Sequence, residues 1–161
     1  MTHVYNGMRP LHHRRPVLLD IALTDPRLTA MVIFDGVHVS PHAFRRLVRA
    51  KGAERVALVT DSIRYAGWDV MKRRGAYYTR AGVLAGSDLT MIEAVSNAVL
   101  IGGASLAEAV RMASEVPARL LGLRDRGRLA AGARADLVAF DRRFRVLLTI
   151  VGGNVAYERT H

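Results

Sequence analysis

The 161-residue chain is predicted to be an α/β protein that carries part of a βα barrel followed by a strand-rich tail. Two short continuous apolar runs, Ala30 to Phe34 and Val56 to Thr60, read as neighbouring parallel strands buried on both faces. A segment of helical periodicity lies between them. After Gly122 the texture changes to strands and tight turns. The chain therefore divides into residues 1–122, the partial barrel, and residues 123–161, strands of a small β-domain.

Each element has local support. From Pro41 to Ala50, Phe44, Leu47 and Val48 fall on one helical face, with Arg45, Arg46 and Arg49 mostly on the other. Lys51-Gly52 ends that helix, the glycine suiting a left-handed cap. Asp61 stands at the carboxyl end of the second strand, the end at which βα barrels open. Residues 64–80 show little periodicity, and order resumes at Leu84-Ala85-Gly86-Ser87. Two capping boxes, Thr90-Met91-Ile92-Glu93 and Ser105-Leu106-Ala107-Glu108, each open a helix. The first should end near Gly102-Gly103. The second should run through Val110 and Met112 towards Leu120-Leu121-Gly122, and the Met and Leu of both helices should pack in the core. In the tail, 127–141 reads as turn, loop and strand, Phe144 to Val151 as a strand, and Gly152-Gly153-Asn154 as a hairpin turn into Val155-Ala156-Tyr157.

Composition narrows the class. Half of the residues are apolar, yet no run approaches the ~18–20 needed to cross a bilayer. No basic-then-apolar leader precedes the first motif, so no export signal is read. Cysteine is absent, which excludes disulfides and thiolate metal sites. A cytoplasmic protein with no membrane partner is the economical reading. The net charge is +10, from 24 basic residues of which only Lys51 and Lys72 are lysine. The arginines are scattered and lack the interleaved aromatics that stack bases, which argues against nucleic acid. One or two arginines holding a phosphomonoester fit better.

Four motifs occur in order: Thr2-His3-Val4-Tyr5-Asn6-Gly7-Met8, Pro10-Leu11-His12-His13-Arg14-Arg15-Pro16, Phe34-Asp35-Gly36-Val37-His38 and Leu58-Val59-Thr60-Asp61. This series resembles the N-acetylglucosamine-6-phosphate deacetylase family of the amidohydrolase superfamily. The resemblance runs over nearly the whole chain but covers only the latter part of such a protein. It implies the C-terminal part of a (β/α)8, TIM-type, metal-dependent hydrolase barrel, plus the C-terminal strands of a small β-sandwich domain. The tail, with Ala118-Arg119, Leu121-Gly122, Gly127-Arg128-Leu129, Gly132 and Ala135-Asp136-Leu137-Val138, is similar to the closing segment of many amidohydrolases.

Residue roles follow from the resemblance. His3 matches a metal-binding imidazole, and Asn6 and Gly7 match a pair that touches the sugar. Arg14 matches the arginine that holds the 6-phosphate, for which a planar guanidinium is suited. His38 matches a substrate-contacting residue that helps polarise the acyl oxygen. Asp61 matches the general acid/base, and Leu84, Ala85 and Gly86 match substrate contacts, although by spacing alone Gly86 is simply a turn. The implied cofactor is a divalent metal, zinc or iron, and the implied substrate a phosphosugar. Hydrolysing an unactivated amide calls for these groups: a metal to ready water and carbonyl, and a carboxylate to move a proton. Taken singly, a lone His near a terminus is usually solvent-exposed, and an Asp after a strand is often an N-cap.

The chain departs from the family at several points. Gly7 replaces Ala, Arg15 and Val17 replace Glu and Gly beside the phosphate arginine, and Ser62 follows Asp61 in place of Ala. Between Gly67 and Arg73 the chain is short of a Gly-rich loop and hairpin, and Trp68, Met71 and Tyr77-Tyr78 match nothing. The family's other metal ligands, a Glu and a first His, have no counterpart. One His cannot hold a catalytic zinc, which takes about three protein ligands. The expectation is an incomplete copy, inactive alone: a degraded or split gene product, a mis-called start, or a fragment completed by a missing N-terminal chain. Open strand edges should make it self-associate as a dimer. Two other readings stand beside this: a non-catalytic binding or oligomerisation fragment, or another amidohydrolase such as a dihydroorotase- or deaminase-like enzyme. The His12-His13-Arg14 loop argues against the second.

Overall fold

A computed structural model describes residues 1–63 and 69–160. Its centre is a set of parallel rows. β1 (Ala30–Val32) pairs in parallel with β2 (Val56–Leu58), Ala30 opposite Val56 and Val32 opposite Leu58. On the other side of β1, the Met31 N–H donates to the Met1 carbonyl and the Val4 N–H donates to the Met31 carbonyl, both at 2.8 Å. Beyond β2, the Ile63 N–H donates to the Ser87 carbonyl and the Ser87 N–H to the Asp61 carbonyl, joining Ser62 to Ser87 in parallel. The order across the rows is thus 1–4, β1, β2 with its continuation, and β5 (Leu84–Ser87).

Both expected strands exist and are parallel neighbours, but each is two residues shorter than predicted. The reason is that side chains capture the carbonyls that would extend them. Asn97 Nδ2 donates to the Phe34 carbonyl at 3.0 Å, and the Ser87 hydroxyl donates to that of Thr60. Asp61 then turns the chain with φ +49°.

Helices cover the rows. α1 (Leu18–Thr24), which the sequence did not reveal, buries Leu19 and Ala22 but leaves Leu18 and Ile21 half exposed, so its faces are not distinguished by hydropathy. α2 (Pro41–Lys51) starts at Ser40, whose hydroxyl accepts the Ala43 N–H, and ends at Gly52 with φ +72°. Its Phe44 stacks on Phe34 at 3.9 Å between ring centroids, and both rings are fully buried. Such an aromatic pair fixes the helix on the sheet beyond simple area burial.

Residues 64–68 lie outside the described residues, with Gly67 and Trp68 among them, as does residue 161. The rest of that weakly periodic stretch forms a hairpin, although between Gly67 and Arg73 the chain was expected to be short of one. β3 (Met71–Arg73) and β4 (Ala76–Tyr78) join through Arg74 and Gly75, both at positive φ, and β4 pairs antiparallel with β5. The hairpin was hidden because its turn carries Arg-Gly in place of the usual Asn-Gly or Asp-Gly signal. β5 is therefore shared, antiparallel to β4 and parallel to the end of the β2 row. Gly86 lies in this strand and not in a turn.

Both capping boxes form as read, at α3 (Met91–Leu100) and α4 (Leu106–Ala113). The second helix does not continue to Gly122. It breaks at Ser114 and resumes as α5 (Glu115–Leu120). Pro117 explains the break, because it offers no N–H to the Ala113 carbonyl and its ring crowds that group. Nor are all the Met and Leu of these helices core residues. Met112 is fully buried, whereas Leu100, Leu106, Leu120 and Leu121 are exposed. The tail is an antiparallel sheet of β6 (Leu137–Phe140), β7 (Val146–Val151) and β8 (Asn154–Glu158). Val151 faces Asn154 across the two-residue Gly152-Gly153 turn, both glycines at positive φ. β7 begins at Val146 and not at Phe144, which sits at φ +57° in a turn closed by Asp141.

Gly86 locks the junction between the third and fourth rows. It has φ +143°, and an added Cβ would stand 2.9 Å from Ile63 Cγ2 and 3.0 Å from the Asp61 carbonyl oxygen. Gly86→Ala should therefore destabilise the fold by on the order of 1–3 kcal/mol in urea denaturation. Gly75 also has positive φ but nothing within 4 Å of its would-be Cβ. Gly75→Ala should cost less, and equal losses would show that packing at the junction contributes nothing.

Candidate active site

Because the rows are parallel, the segments that leave them emerge on one side. The first is the loop after residue 4. His3 and Tyr5 both adopt positive φ, +29° and +77°, and Gly7 follows at +68°. Left-handed conformations in non-glycine residues are uncommon and persist where surroundings enforce them. Here the enforcement is visible. His3 Nδ1 lies 3.0 Å from the Asn6 carbonyl, the Tyr5 hydroxyl donates to the Ala43 carbonyl at 3.0 Å, and Arg46 lies over the Tyr5 ring. The Asn6 contact occupies one nitrogen of His3 and leaves Nε2 for another partner, the arrangement common in ligating histidines. Asn6 Nδ2 is 3.4 Å from the Val4 carbonyl, and a Cβ on Gly7 would sit 3.9 Å from His3 Cε1. His3, Asn6 and Gly7 thus form one small cluster.

After β1 comes Asp35-Gly36-Val37-His38. His38 Nδ1 stands 2.6 Å from Asp35 Oδ2, and both side chains are buried. Asp35 Oδ1 accepts the backbone N–H groups of Val37 and His38, each at 2.8 Å. Burial pushes the Asp35 carboxyl up, but the His38 ring and these two N–H donors outweigh it. The group ends below its ordinary value.

Asp61 follows β2 and is exposed. Its carbonyl accepts the Ser87 N–H at 3.0 Å and packs on Gly86. Asp61 and Gly86 are therefore brought together, and Leu84 and Ala85 precede Gly86 in the same strand. Leu84 and Gly86 pair with Tyr78 and Tyr77. Ser87, to which the sequence assigned no role, is fully buried; its hydroxyl donates to the Thr60 carbonyl and accepts the Leu89 N–H.

Arg14 lies in an exposed loop. Its guanidinium donates to His13 Nε2 at 2.8 Å, its N–H donates to His12 Nδ1, and the two histidine rings stack at 4.9 Å. Asp35 and Asn97 border a cavity of about 220 Å³, together with Asp88, Leu89 and Glu93. A second cavity, of about 520 Å³, lies between α3, α4 and the tail sheet, where Val95, Val110, Leu137 and Phe140 line it. None of the site residues borders that second cavity. Among the described residues, no group of three or more His, Cys, Asp or Glu could hold a metal ion. The residues of this chain alone therefore do not fit a complete metal centre.

Comparison with known proteins gives this geometry its context. The amidohydrolase family profile matches residues 1–156. The N-acetylgalactosamine-6-phosphate deacetylase of Escherichia coli O157:H7 is 39% identical over 97% of this chain and 44% of its own length. The putative N-acetylgalactosamine-6-phosphate deacetylase of Escherichia coli K12 is also 39% identical, over 96% of this chain and 98% of its own length. The crystal structure of N-acetylglucosamine-6-phosphate deacetylase from Thermotoga maritima superposes with a TM-score of 0.91 at 36% identity, over 99% of this chain and 47% of that one. The chain thus spans less than half of two of these relatives and nearly all of the third. With a profile match over most of its length, the chain belongs to the amidohydrolase family and has its α/β fold.

Proposed function

We propose that these residues serve the removal of acetate from N-acetylglucosamine 6-phosphate, as the C-terminal part of a metal-dependent deacetylase. One observation carries the proposal: the motif residues leave the same side of a set of parallel rows, His3 with Asn6 and Gly7 from the first, His38 from the second, Asp61 from the third beside Gly86 of the fourth. Barrel enzymes assemble sites at that face. The rows are then the closing strands of a (β/α)8 barrel, within a catalytic unit of residues 1–122. Residues 123–161 are the closing strands of a small β-sandwich domain.

The chemistry divides among the residues. Water adds to the acetyl carbonyl, the C–N bond breaks, and acetate and the free amine leave. Asp61 takes a proton from the water and returns it to the departing nitrogen. His38 Nε2 faces the acyl oxygen, Arg14 holds the 6-phosphate, and Asn6, Gly7, Leu84, Ala85 and Gly86 border the sugar. The amidohydrolase family generally uses a divalent metal; zinc or iron is the ion proposed for the complete enzyme. His3 offers it one ligand, and further polypeptide must supply the others. By itself the chain is expected to hydrolyse nothing. A phosphosugar does not cross membranes unaided, which suits a cytoplasmic protein, and no helix among the described residues is long and apolar enough to cross one.

A second reading changes only the sugar. Both Escherichia coli relatives carry galacto names, so the C4 epimer, N-acetylgalactosamine 6-phosphate, is the competing substrate. Acetate release from each epimer decides between them. The protein to use is a chimera placing this chain after the N-terminal part of the Thermotoga maritima relative. No release from either sugar would remove the deacetylase proposal.

In that chimera Asp61→Asn keeps the shape and removes the proton acceptor, so turnover should fall at least ~10²-fold while metal content changes far less. A parallel loss of metal and activity would make Asp61 a ligand or a scaffold. Arg14→Lys should weaken the phosphorylated substrate and spare residual activity on the unphosphorylated sugar, since a point charge cannot reproduce bidentate contact. Equal losses on both would mean that Arg14 only supports the loop. The chain alone should sediment as a dimer, given the exposed Leu106, Leu120 and Leu121. A clean monomer counts against this.

A further inference from the structure

The Asp35–His38 pair holds more order than a substrate-contacting histidine needs. Asp35 Oδ1 is fixed by two backbone donors, the N–H groups of Val37 and His38, at 2.8 Å each. Gly36, at φ +80°, lets the chain close this turn. With Oδ1 tied, the carboxylate cannot rotate, and Oδ2 remains 2.6 Å from His38 Nδ1. The contact is dry, with the two side chains only 3% and 6% exposed. An ionised carboxylate can only accept, so Nδ1 must be the donor. The depressed titration of Asp35 agrees with an ionised group there.

We propose that Asp35 is a positioning residue for His38: it keeps a proton on Nδ1 and so confines the exchangeable proton of the ring to Nε2. The proposal rests on the deacetylase reading for what Nε2 meets, the acyl oxygen, but not for the tautomer itself. A ring whose second nitrogen is free to turn could present either a donor or a lone pair. A ring pinned through Nδ1 presents Nε2 alone, in one orientation and with one role at a time. The buried carboxylate also gives a protonated ring its counter-charge, so Nε2 can donate to an oxygen gaining negative charge.

The test is the tautomer of His38 in the ¹⁵N-histidine-labelled 161-residue chain. It is read by long-range ¹H–¹⁵N correlation above the ring's titration and assigned by its absence in His38→Asn. In the wild type Nδ1 should carry the protonated-type shift and Nε2 the unprotonated one, the tautomer that free histidine disfavours. In Asp35→Asn the amide oxygen must stay on the two backbone donors, so the amide N–H group turns to Nδ1 and the pattern should reverse. A wild-type Nε2–H tautomer overturns the proposal. So does an unchanged pattern in an Asp35→Asn variant whose Val37 and His38 amides keep their shifts. If that variant does not fold, the wild-type spectrum decides alone. Titrating N-acetylglucosamine 6-phosphate into the chimera separates the two inferences. An unmoved His38 Nε2 signal, with Nδ1 still protonated, would remove the substrate contact and leave the role of Asp35 standing.

Discussion

A parallel sheet buried on both faces leaves no room for polar side chains along its length, and the rest of this structure follows from that constraint. Val56, Ala57 and Leu58 are all buried, as are Ala30, Val32, Ile33 and Phe34. Every N–H and C=O in such strands must be satisfied by a neighbouring strand, because water is excluded. Chemistry-bearing residues are therefore displaced to the places where the rows end. His3, Asp35, His38 and Asp61 all occupy such places.

Ending a buried row is itself a problem, since the last carbonyls lose their ladder partners. The chain solves it with side chains: Asn97 for Phe34, the Ser87 hydroxyl for Thr60, and the Asp35 carboxylate for the N–H groups of Val37 and His38. Three of the non-glycine residues at positive φ, His3, Tyr5 and Asp61, lie at these same ends. Held in sparsely populated conformations, they are fixed by the packing of Tyr5 on α2 and of Asp61 on Gly86 and Ser87. The fold thereby lends rigidity to the loops that carry the candidate site.

What could be read in advance depended on how local the cause was. Both capping boxes are reciprocal contacts within four residues, and both formed where Thr90-Glu93 and Ser105-Glu108 indicated. The presence of the two central strands was legible from unbroken apolar runs. Their ends were not, because Asn97 and Ser87 terminate them from far along the chain. The hairpin at 71–78 escaped because its strands are three residues long and its turn is Arg74-Gly75. Exposed Leu106 and Leu121 looked like core, since periodicity reports a face but not what covers it. The motif residues were recognisable as a series, yet the function of Asp35 was not. Its role is a matter of two fixed oxygens facing three donors, which only the folded turn displays.

On the proposed function the ends of the parallel rows, and not the large cavity beside the tail sheet, receive a phosphosugar. Hydrogen exchange read by mass spectrometry, with and without N-acetylglucosamine 6-phosphate, addresses this in the chimera. Added sugar should slow exchange in peptides covering 3–7, 12–16, 35–38, 60–62 and 84–87 and leave 123–160 unchanged. Protection confined to 123–160 and to α3 and α4, where the cavity of about 520 Å³ lies, would contradict it.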